Sequence, residues 1–285
     1  MRLHQGCTDC LLSRVEYESR LCTDDEALVL KIAGACRDLL QCSLADPVPA
    51  PVIASRVHRL AYRMIGDADP YRSLKRANNE DAMAVSLAVR RDLVTFRDLV
   101  LASVIGNTLD YGSEAHTVTD NFVEFFRREF AAGLTVDDTD AMETLTSRVV
   151  YIADNCGEIV FDALLAGHLR KSGSHVTFAV RGAPILNDAT IEDAVALGLD
   201  RRVDVLTTTT DGIAELGLNR DIAPPALTDA LDRATLIIAK GMANYESLSD
   251  ERDLPPVAYL MSVKCSPIGA DIGIPVGSRV ALLRE

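Results

Sequence analysis

The stretch of sequence that decides the fold is Val149-Val150-Tyr151-Ile152-Ala153-Asp154-Asn155-Cys156-Gly157-Glu158. Its apolar, partly β-branched first half predicts a buried strand, and the run from Ile159 to Leu165 predicts a helix. Polar side chains therefore stand at the carboxyl end of a strand, where open α/β sheets bind their ligands. Asp154 and Asn155 offer hard oxygen atoms suited to Mg²⁺ or Mn²⁺, and Gly157 allows backbone to approach a ligand closely. The alternative is a helix cap without chemistry, because Asp and Asn are favoured cap residues.

Strand and helix patterns alternate from Val149 to the end of the sequence. The predicted strands are 149–154, 175–181, 203–208, 234–240, 256–263 and 278–283, and the predicted helices are 157–172 and 189–197. This alternation predicts an α/β fold with a largely parallel sheet that is covered by helices. Helical periodicity dominates up to about Arg148, with a capped start at Thr23-Asp24-Asp25-Glu26 and a further helix opened by Pro51. We therefore predict a helical domain at 1–148 and an α/β domain at 149–285.

Composition excludes several classes of function. The chain has 285 residues, 48% of them hydrophobic, and a formal net charge of -13. That charge argues against nucleic acid as a partner, since phosphate contacts need basic surfaces. No apolar run reaches the ~18 residues of a membrane helix, and residues 1–7 lack the apolar core of a signal peptide, so we expect a cytoplasmic protein. The odd number of cysteines, seven, makes a disulfide framework an unattractive interpretation.

A second polar cluster follows the second predicted strand, at Arg181 and at Asn187-Asp188. Neighbouring parallel strands deliver their carboxyl-end loops side by side, so we expect Asp188 to complete a cation site with Asp154 and Asn155. The alternative is that Asn187 or Asp188 is only the N-cap of the next helix.

A third cluster, Lys240-Gly241-Met242-Ala243-Asn244, follows the strand at 234–240, and Val263-Lys264-Cys265 ends a fourth strand. A lysine beside a glycine at a strand end is well placed to hold a phosphate as a point charge, although a lysine on a solvated loop is the simpler interpretation. Oxygen ligands and a lysine at several strand ends together predict a site for phosphoryl chemistry.

These motifs resemble a known family, the metal-dependent damage-control phosphatases, formerly a domain of unknown function. The resemblance rests on Asp154-Asn155-Cys156-Gly157-Glu158, Asn187-Asp188-Ala189-Thr190 and Lys240-Gly241-x-x-Asn244. It extends into the first half of the chain through Asp69-Pro70-Tyr71-x-x-x-Lys75 and Gly106-Asn107-x-x-Asp110. Cys7-x-x-Cys10 and the pair Lys264-Cys265 are typical of the short, stand-alone, archaeal-type members.

The resemblance implies a helical N-terminal domain followed by a three-layer α/β/α Rossmann-like sandwich. It implies a divalent cation (Mg, Mn, Co or Ni) held by Asp154, Asn155 and Asp188. It also implies hydrolysis of small phosphorylated metabolites, such as sugar phosphates or phosphopantetheine-like monoesters. The physiological substrate, the native metal and the oligomeric state, with a homo-oligomer possible, stay open at this point.

The same resemblance, combined with the placement of the motifs, suggests roles for individual residues. We expect Lys240 and Asn244 to bind phosphate, and Asn107 and Asp110 to reach the substrate from the helical domain. Glu158 is a candidate general base, which would make Asp154, Glu158 and Lys240 the catalytic set, and Arg181 is expected to help neutralise the substrate.

Several rival interpretations exist. Cys7 and Cys10 have metal-ligand spacing, so a zinc site with Cys265 and His4 is one of them, but no second Cys-x-x-Cys accompanies the first. Asp138-Thr139-Asp140 mimics the nucleophile motif of haloacid-dehalogenase-type phosphatases, but it lacks the long apolar strand that should precede it. A non-catalytic metabolite-binding protein and a methyltransferase are the rival functions. The sequence has no G-x-G-x-x-G for a dinucleotide, and metal-dependent phosphate release would separate both rivals from a phosphatase.

Overall fold

The computed structural model describes residues 1–4, 6–108 and 122–285. Its helices are α1 (Cys7–Arg20), α2 (Glu26–Ser43), α3 (Ala50–Ile65), α4 (Arg72–Val89), α5 (Phe96–Gly106), α6 (Phe122–Ala132), α7 (Thr139–Glu143), α8 (Glu158–Lys171), α9 (Ile191–Ala196), α10 (Pro225–Asp232), α11 (Gly241–Leu248) and α12 (Ser266–Ile272). Its strands are β1 (Val136–Asp137), β2 (Arg148–Ile152), β3 (His175–Val180), β4 (Val205–Thr208), β5 (Leu236–Lys240), β6 (Val257–Ser262) and β7 (Arg279–Arg284).

Within the described residues the strands form one sheet in the order β1-β7-β6-β5-β2-β3-β4. Every neighbouring pair is parallel except β6 and β7, which are antiparallel. The chain order therefore reverses at β2, which has β5 on one side and β3 on the other. Such a reversal opens a crevice at the carboxyl ends of the central strands, and Asp154 follows β2 at that position.

Successive side chains along each strand point to opposite faces of the sheet, so the core consists of two layers. Side chains such as Val149 and Tyr151 pack on one face with apolar residues of α5 and α8. Their neighbours Val150 and Ile152 pack on the other face with apolar residues of α10, α11 and α12. The structure thus confirms the predicted three-layer α/β/α sandwich with a largely parallel sheet.

Helices of the first half of the chain form two further clusters. Apolar side chains of α1, α2 and α3 pack together in a small bundle of their own. Residues of α4, α5 and α6 pack instead with Val160 and Phe161 of α8, on the outer side of the sandwich. The helical character predicted before Arg148 is confirmed, and the domain division at that residue stays a prediction.

Differences between predicted and observed elements are small and have local causes. Strand β1, only two residues long, was not predicted, because so short a strand has no detectable alternation; it is held by pairing with β7. The predicted strand at 203–208 begins at Val205, since Asp204 accepts a hydrogen bond from Val176 N before the ladder starts. Asp25 caps α2 and proline lies in the first turn of α3, as predicted. In the described part of the chain, no helix is both long and apolar enough to cross a bilayer.

Candidate active site

Arg181 joins the two carboxylates that the sequence predicts as metal ligands. Its Nη2 donates to Asp154 Oδ1 at 2.8 Å, and its Nε donates to Asp188 Oδ2 at 2.5 Å. Asn155 Nδ2 donates to the other oxygen of Asp154, Oδ2, at 3.0 Å. Arg181, Asp154 and Asp188 are all buried. The structure therefore brings Asp154, Asn155 and Asp188 to one place, as expected from the adjacency of their strands.

Backbone contacts fix the two loops to each other. Asn155 and Asp188 form an isolated antiparallel bridge, and Ala189 N donates to Asp154 O at 2.8 Å. Cys156 N donates to Asn187 O, also at 2.8 Å. Because these bonds are made by backbone atoms, the convergence of the acidic side chains does not depend on the side chains themselves.

Neither loop is a simple helix cap. Gly157, with φ of 89°, occupies the N-cap position of α8, and no side chain caps that helix. Thr190 caps α9 through a capping box with Asp193, so the alternative in which Asn187 or Asp188 starts the helix is wrong. Asp154 and Asp188 therefore do not cap α8 or α9, and the interpretation of both motifs as helix caps is wrong.

The predicted ligand set would suit a hard cation by its chemistry, because it combines two carboxylates with one amide side chain. Burial raises the pKa of Asp154 well above its usual range, and the nearby charges of Asp188 and Glu158 raise it further. A divalent cation would relieve this concentration of negative charge more fully than Arg181 alone does. Across the described residues, no three His, Cys, Asp or Glu side chains are grouped to hold a metal. The predicted set contains only two such residues beside its amide.

Glu158 lies at the start of α8 and faces this cluster. Its Oε1 accepts from Asn155 N at 3.0 Å, and its Oε2 accepts from Asn107 Nδ2 at 2.5 Å. Burial raises the pKa of this carboxyl, while Lys240 opposes the rise. A carboxyl with a raised pKa at hydrogen-bond distance from the loop that holds Asp154 and Asn155 has the properties of a general base or acid.

Lys240 is fully buried, which excludes the simpler interpretation of a lysine on a solvated loop. Its Nζ lies 2.9 Å from Asp162 Oδ1 and 3.7 Å from Glu158 Oε1, and it donates to Ser103 O at 3.2 Å. Burial alone would lower the pKa of Lys240, but the charges of Asp162 and Glu158 outweigh that effect and raise it. The charged form of the lysine is therefore favoured beside Glu158 and Asp162.

Two asparagines complete the cluster from opposite sides. Asn244 of α11 donates to Lys240 O at 2.6 Å and to Ala153 O at 3.3 Å, while its Oδ1 accepts from Arg181 Nη1 at 3.4 Å. Asn107, after α5, accepts from Ser262 N at 3.1 Å in addition to contacting Glu158. Asp110, which the sequence places in the same motif as Asn107, lies outside the described residues.

Comparison with known proteins shows the family to which this chain belongs. The family model of the damage-control phosphatase ARMT1-like domain matches residues 3–280. The chain belongs to this family. A damage-control phosphatase of Archaeoglobus fulgidus is 39% identical to it, over 100% of both chains. A damage-control phosphatase of Pyrococcus horikoshii is 26% identical, over 99% of this chain and 98% of the relative. The crystal structure of a DUF89 family protein from P. horikoshii superposes with a TM-score of 0.91 at 26% identity, covering 100% of both chains.

Sequence reasoning missed Asp162, a further buried carboxylate of this damage-control phosphatase family member, which lies on α8 with Glu158. Asp162 Oδ1 accepts hydrogen bonds from Ser103 Oγ at 2.7 Å and from Tyr151 Oη at 2.8 Å, besides its contact with Lys240. The signal was present, because Glu158 and Asp162 are four residues apart and so share one face of a largely apolar helix. Two acidic residues on a buried helix face predict that a cationic side chain from another element is paired with them, and here that side chain is Lys240.

The rival motifs do not develop into sites of their own. Asp138 lies at the N-cap position of α7 after the two-residue β1, where it accepts from Leu283 N at 2.9 Å. Cys7, Cys10 and Cys265 are free thiols that line one pocket together with His4, without closing into a metal site. Cys36 and Cys156 are buried, whereas Cys22 and Cys42 are exposed.

Proposed function

We propose that this chain is a divalent-cation-dependent phosphatase that hydrolyses small phosphate monoesters. The observation that supports the proposal best is the convergence of Asp154, Asn155 and Asp188 at the switch point of the sheet, in a member of the damage-control phosphatase family. Mg²⁺, Mn²⁺, Co²⁺ or Ni²⁺ bound there would polarise the phosphoryl oxygens and neutralise part of their charge.

Arg181 has a positioning role in this proposal. Its guanidinium is already bonded to both carboxylates and to Gly217 O, so it has little freedom left for the substrate contact expected from the sequence. It holds two buried, like-charged groups close together, which would otherwise repel each other. The site is thereby organised before any ligand arrives, which is the arrangement that electrostatic catalysis requires.

Glu158 is proposed to accept the proton of the attacking water. The water oxygen forms the new bond to phosphorus, the ester oxygen leaves with the electron pair of the broken bond, and the proton can then pass to that leaving oxygen. Lys240 lies next to Glu158 and favours the charged form of its carboxylate, while Asn107 fixes the direction of Oε2. Lys240 also offsets part of the negative charge of Glu158 and Asp162, which would otherwise repel a dianionic phosphate.

Phosphate release from a panel of monoesters, measured with several divalent cations and with chelator, tests this proposal. We expect activity that is abolished by chelator and restored by one or more of Mg²⁺, Mn²⁺, Co²⁺ and Ni²⁺. Asp229 provides a control position for Asp154→Ala and Asp188→Ala, because Asp229→Ala removes one carboxylate from an exposed site on α10. Full turnover in chelator would refute the metal-dependent mechanism, and metabolite binding without turnover would favour the non-catalytic rival.

A further inference from the structure

A pocket of about 570 Å³ lies beside the acidic cluster and has no part in the chemistry described so far. It lies between the N-terminal segment, α1, the start of α3, α11 and the loop after β6. Its volume falls in the range of small-molecule sites, roughly 300–1,000 Å³. Most of its described lining is apolar, with Leu3, Leu11, Ala54, Leu216, Met242 and Pro267 among the residues.

Three loops connect this pocket to the acidic cluster. Gly217 O accepts from Arg181 Nη1, and the preceding residue, Leu216, lines the pocket. Gly241 lies against the carboxylate of Asp154, and the next residue, Met242, lines the pocket. Consecutive Cα atoms are only about 3.8 Å apart, so the pocket begins within a residue or two of the cluster.

The third loop is the one after β6. The charge of Lys264 acts on both Asp154 and Glu158, and the next residue, Cys265, lines the pocket. Lys264 N also donates to Met242 Sδ at 3.3 Å, which ties the second and third loops together. Each loop thus presents one residue to the cluster and its neighbour to the pocket.

We propose that this pocket receives the organic group of the substrate, and that the substrate class is phosphate monoesters with an apolar, alkyl-like group rather than sugar phosphates. The inference rests on the proposed function and adds the identity of the leaving group to it. A phosphate held at the acidic cluster would place its ester oxygen toward these three loops, with the organic group continuing into the pocket.

The chemistry of the lining favours this class over polyhydroxylated compounds. Sugar hydroxyls that leave water need hydrogen-bond partners, and an unpaired hydroxyl in an apolar site costs free energy. The described side chains of the pocket offer few such partners beyond His4, Ser266 and Glu246. An alkyl group, in contrast, is stabilised by the same lining. Each methylene group that leaves water should raise the binding constant or the relative rate by roughly four-fold.

A series of alkyl phosphates tests the inference directly. Methyl, butyl and hexyl phosphate share the reacting group and differ only in apolar length, and glucose 6-phosphate provides the polyhydroxylated comparison. We expect kcat/KM to rise by roughly four-fold per added methylene until the pocket is filled, and to exceed the value for glucose 6-phosphate at hexyl phosphate. Hexylphosphonate, which is not hydrolysed, should bind with a negative heat-capacity change in calorimetry.

Two variants reduce the pocket from different walls. Ala54→Phe adds a ring from α3, and Cys10→Phe adds one from α1 at a position that is exposed and therefore tolerant of size. Both should lower the ratio of kcat/KM between hexyl and methyl phosphate by at least ten-fold. Ala141→Phe is the matched control, because Ala141 is exposed on α7, which precedes β2 and so lies away from the carboxyl edge.

The outcomes separate this inference from the proposed function. Absence of phosphate release from every ester, with any cation, would overturn the proposed function and this inference with it. Release that prefers glucose 6-phosphate, or a hexyl-to-methyl ratio that Ala54→Phe and Cys10→Phe leave unchanged, would overturn only the apolar substrate class.

Discussion

Gly241 leaves the space that the carboxylate of Asp154 occupies. A Cβ added at residue 241 would lie 1.9 Å from Asp154 Oδ2 and 2.6 Å from its Cγ. Gly241 also has φ of 70°, a backbone conformation that other residues rarely adopt. The glycine after Lys240 therefore serves the acidic cluster directly, and does more than clear room for the lysine.

Gly241→Ala should displace Asp154 and abolish phosphatase activity. Gly66→Ala is its matched control, because Gly66 has φ of 83° but nothing within 4 Å of an added Cβ. We expect Gly66→Ala to cost about 1–2 kcal/mol of unfolding free energy with activity kept, and Gly241→Ala to cost more. Denaturant unfolding measures the loss of stability, and phosphate release measures the loss of activity. Equal losses of stability and of activity in Gly66→Ala and Gly241→Ala would show that the contact with Asp154 is unimportant.

Asp154→Ala and Asp188→Ala should each lower turnover by at least about a hundred-fold, because each removes a charged ligand from the proposed cation site. The fold should persist, since the backbone bonds between the two loops remain. Circular dichroism and metal affinity measured on the same preparations check both points. Cation affinity equal to that of the wild type in both variants would place the metal elsewhere.

Lys240→Ala should weaken substrate binding more than cation binding, since the lysine adds positive charge beside Glu158 without belonging to the ligand set. It should also destabilise the fold by about 3–5 kcal/mol, because Asp162 and Glu158 lose their buried cation. The double variant Lys240→Ala/Asp162→Asn should recover part of that loss. Unchanged substrate affinity and turnover in Lys240→Ala would remove the lysine from the mechanism.

Glu246 should make stability depend on pH. Burial raises its pKa from 4.5 to about 7, against the opposing effect of the N-terminal amino group. The folded state therefore holds its proton more tightly than the unfolded state does. The contribution of protonated Glu246 to the free energy of unfolding is complete below pH 4.5 and is lost as the pH rises through about 7. Between these two pH values the wild type should lose up to about 3 kcal/mol of unfolding free energy relative to Glu246→Gln. Denaturant unfolding of both proteins at several pH values measures this difference. Parallel pH profiles for the two proteins would contradict the shift.

The sequence predicts the sheet and its loops well because both leave local signals. Val149 to Ala153 and the segment at 175–180 are apolar runs followed at once by polar residues, and parallel pairing then brings Asp154 close to Asp188. The resemblance to the family supplied the rest of the predicted cluster, including Asn107.

Contacts between buried charged side chains were harder to predict. Arg181 was expected to face the substrate, yet it bridges Asp154 and Asp188, because two carboxylates that leave water together need a cation. The partner of Lys240 was missed for the same reason. Which charges pair inside a core depends on long-range packing, here on α5 and α8 meeting over the sheet, and no local pattern reports it.

Strand β7 is the last strand along the chain, yet it lies inside the sheet, between β6 and β1. Strand β1 has no other partner among the described strands, so it can join the sheet only after β7 has been inserted. During synthesis on the ribosome, residues 136–137 must therefore wait for residues 279–284 to emerge before the edge of the sheet can close. A chain released early would expose the side of β6 that β7 normally covers, and such an unprotected edge invites aggregation and capture by chaperones.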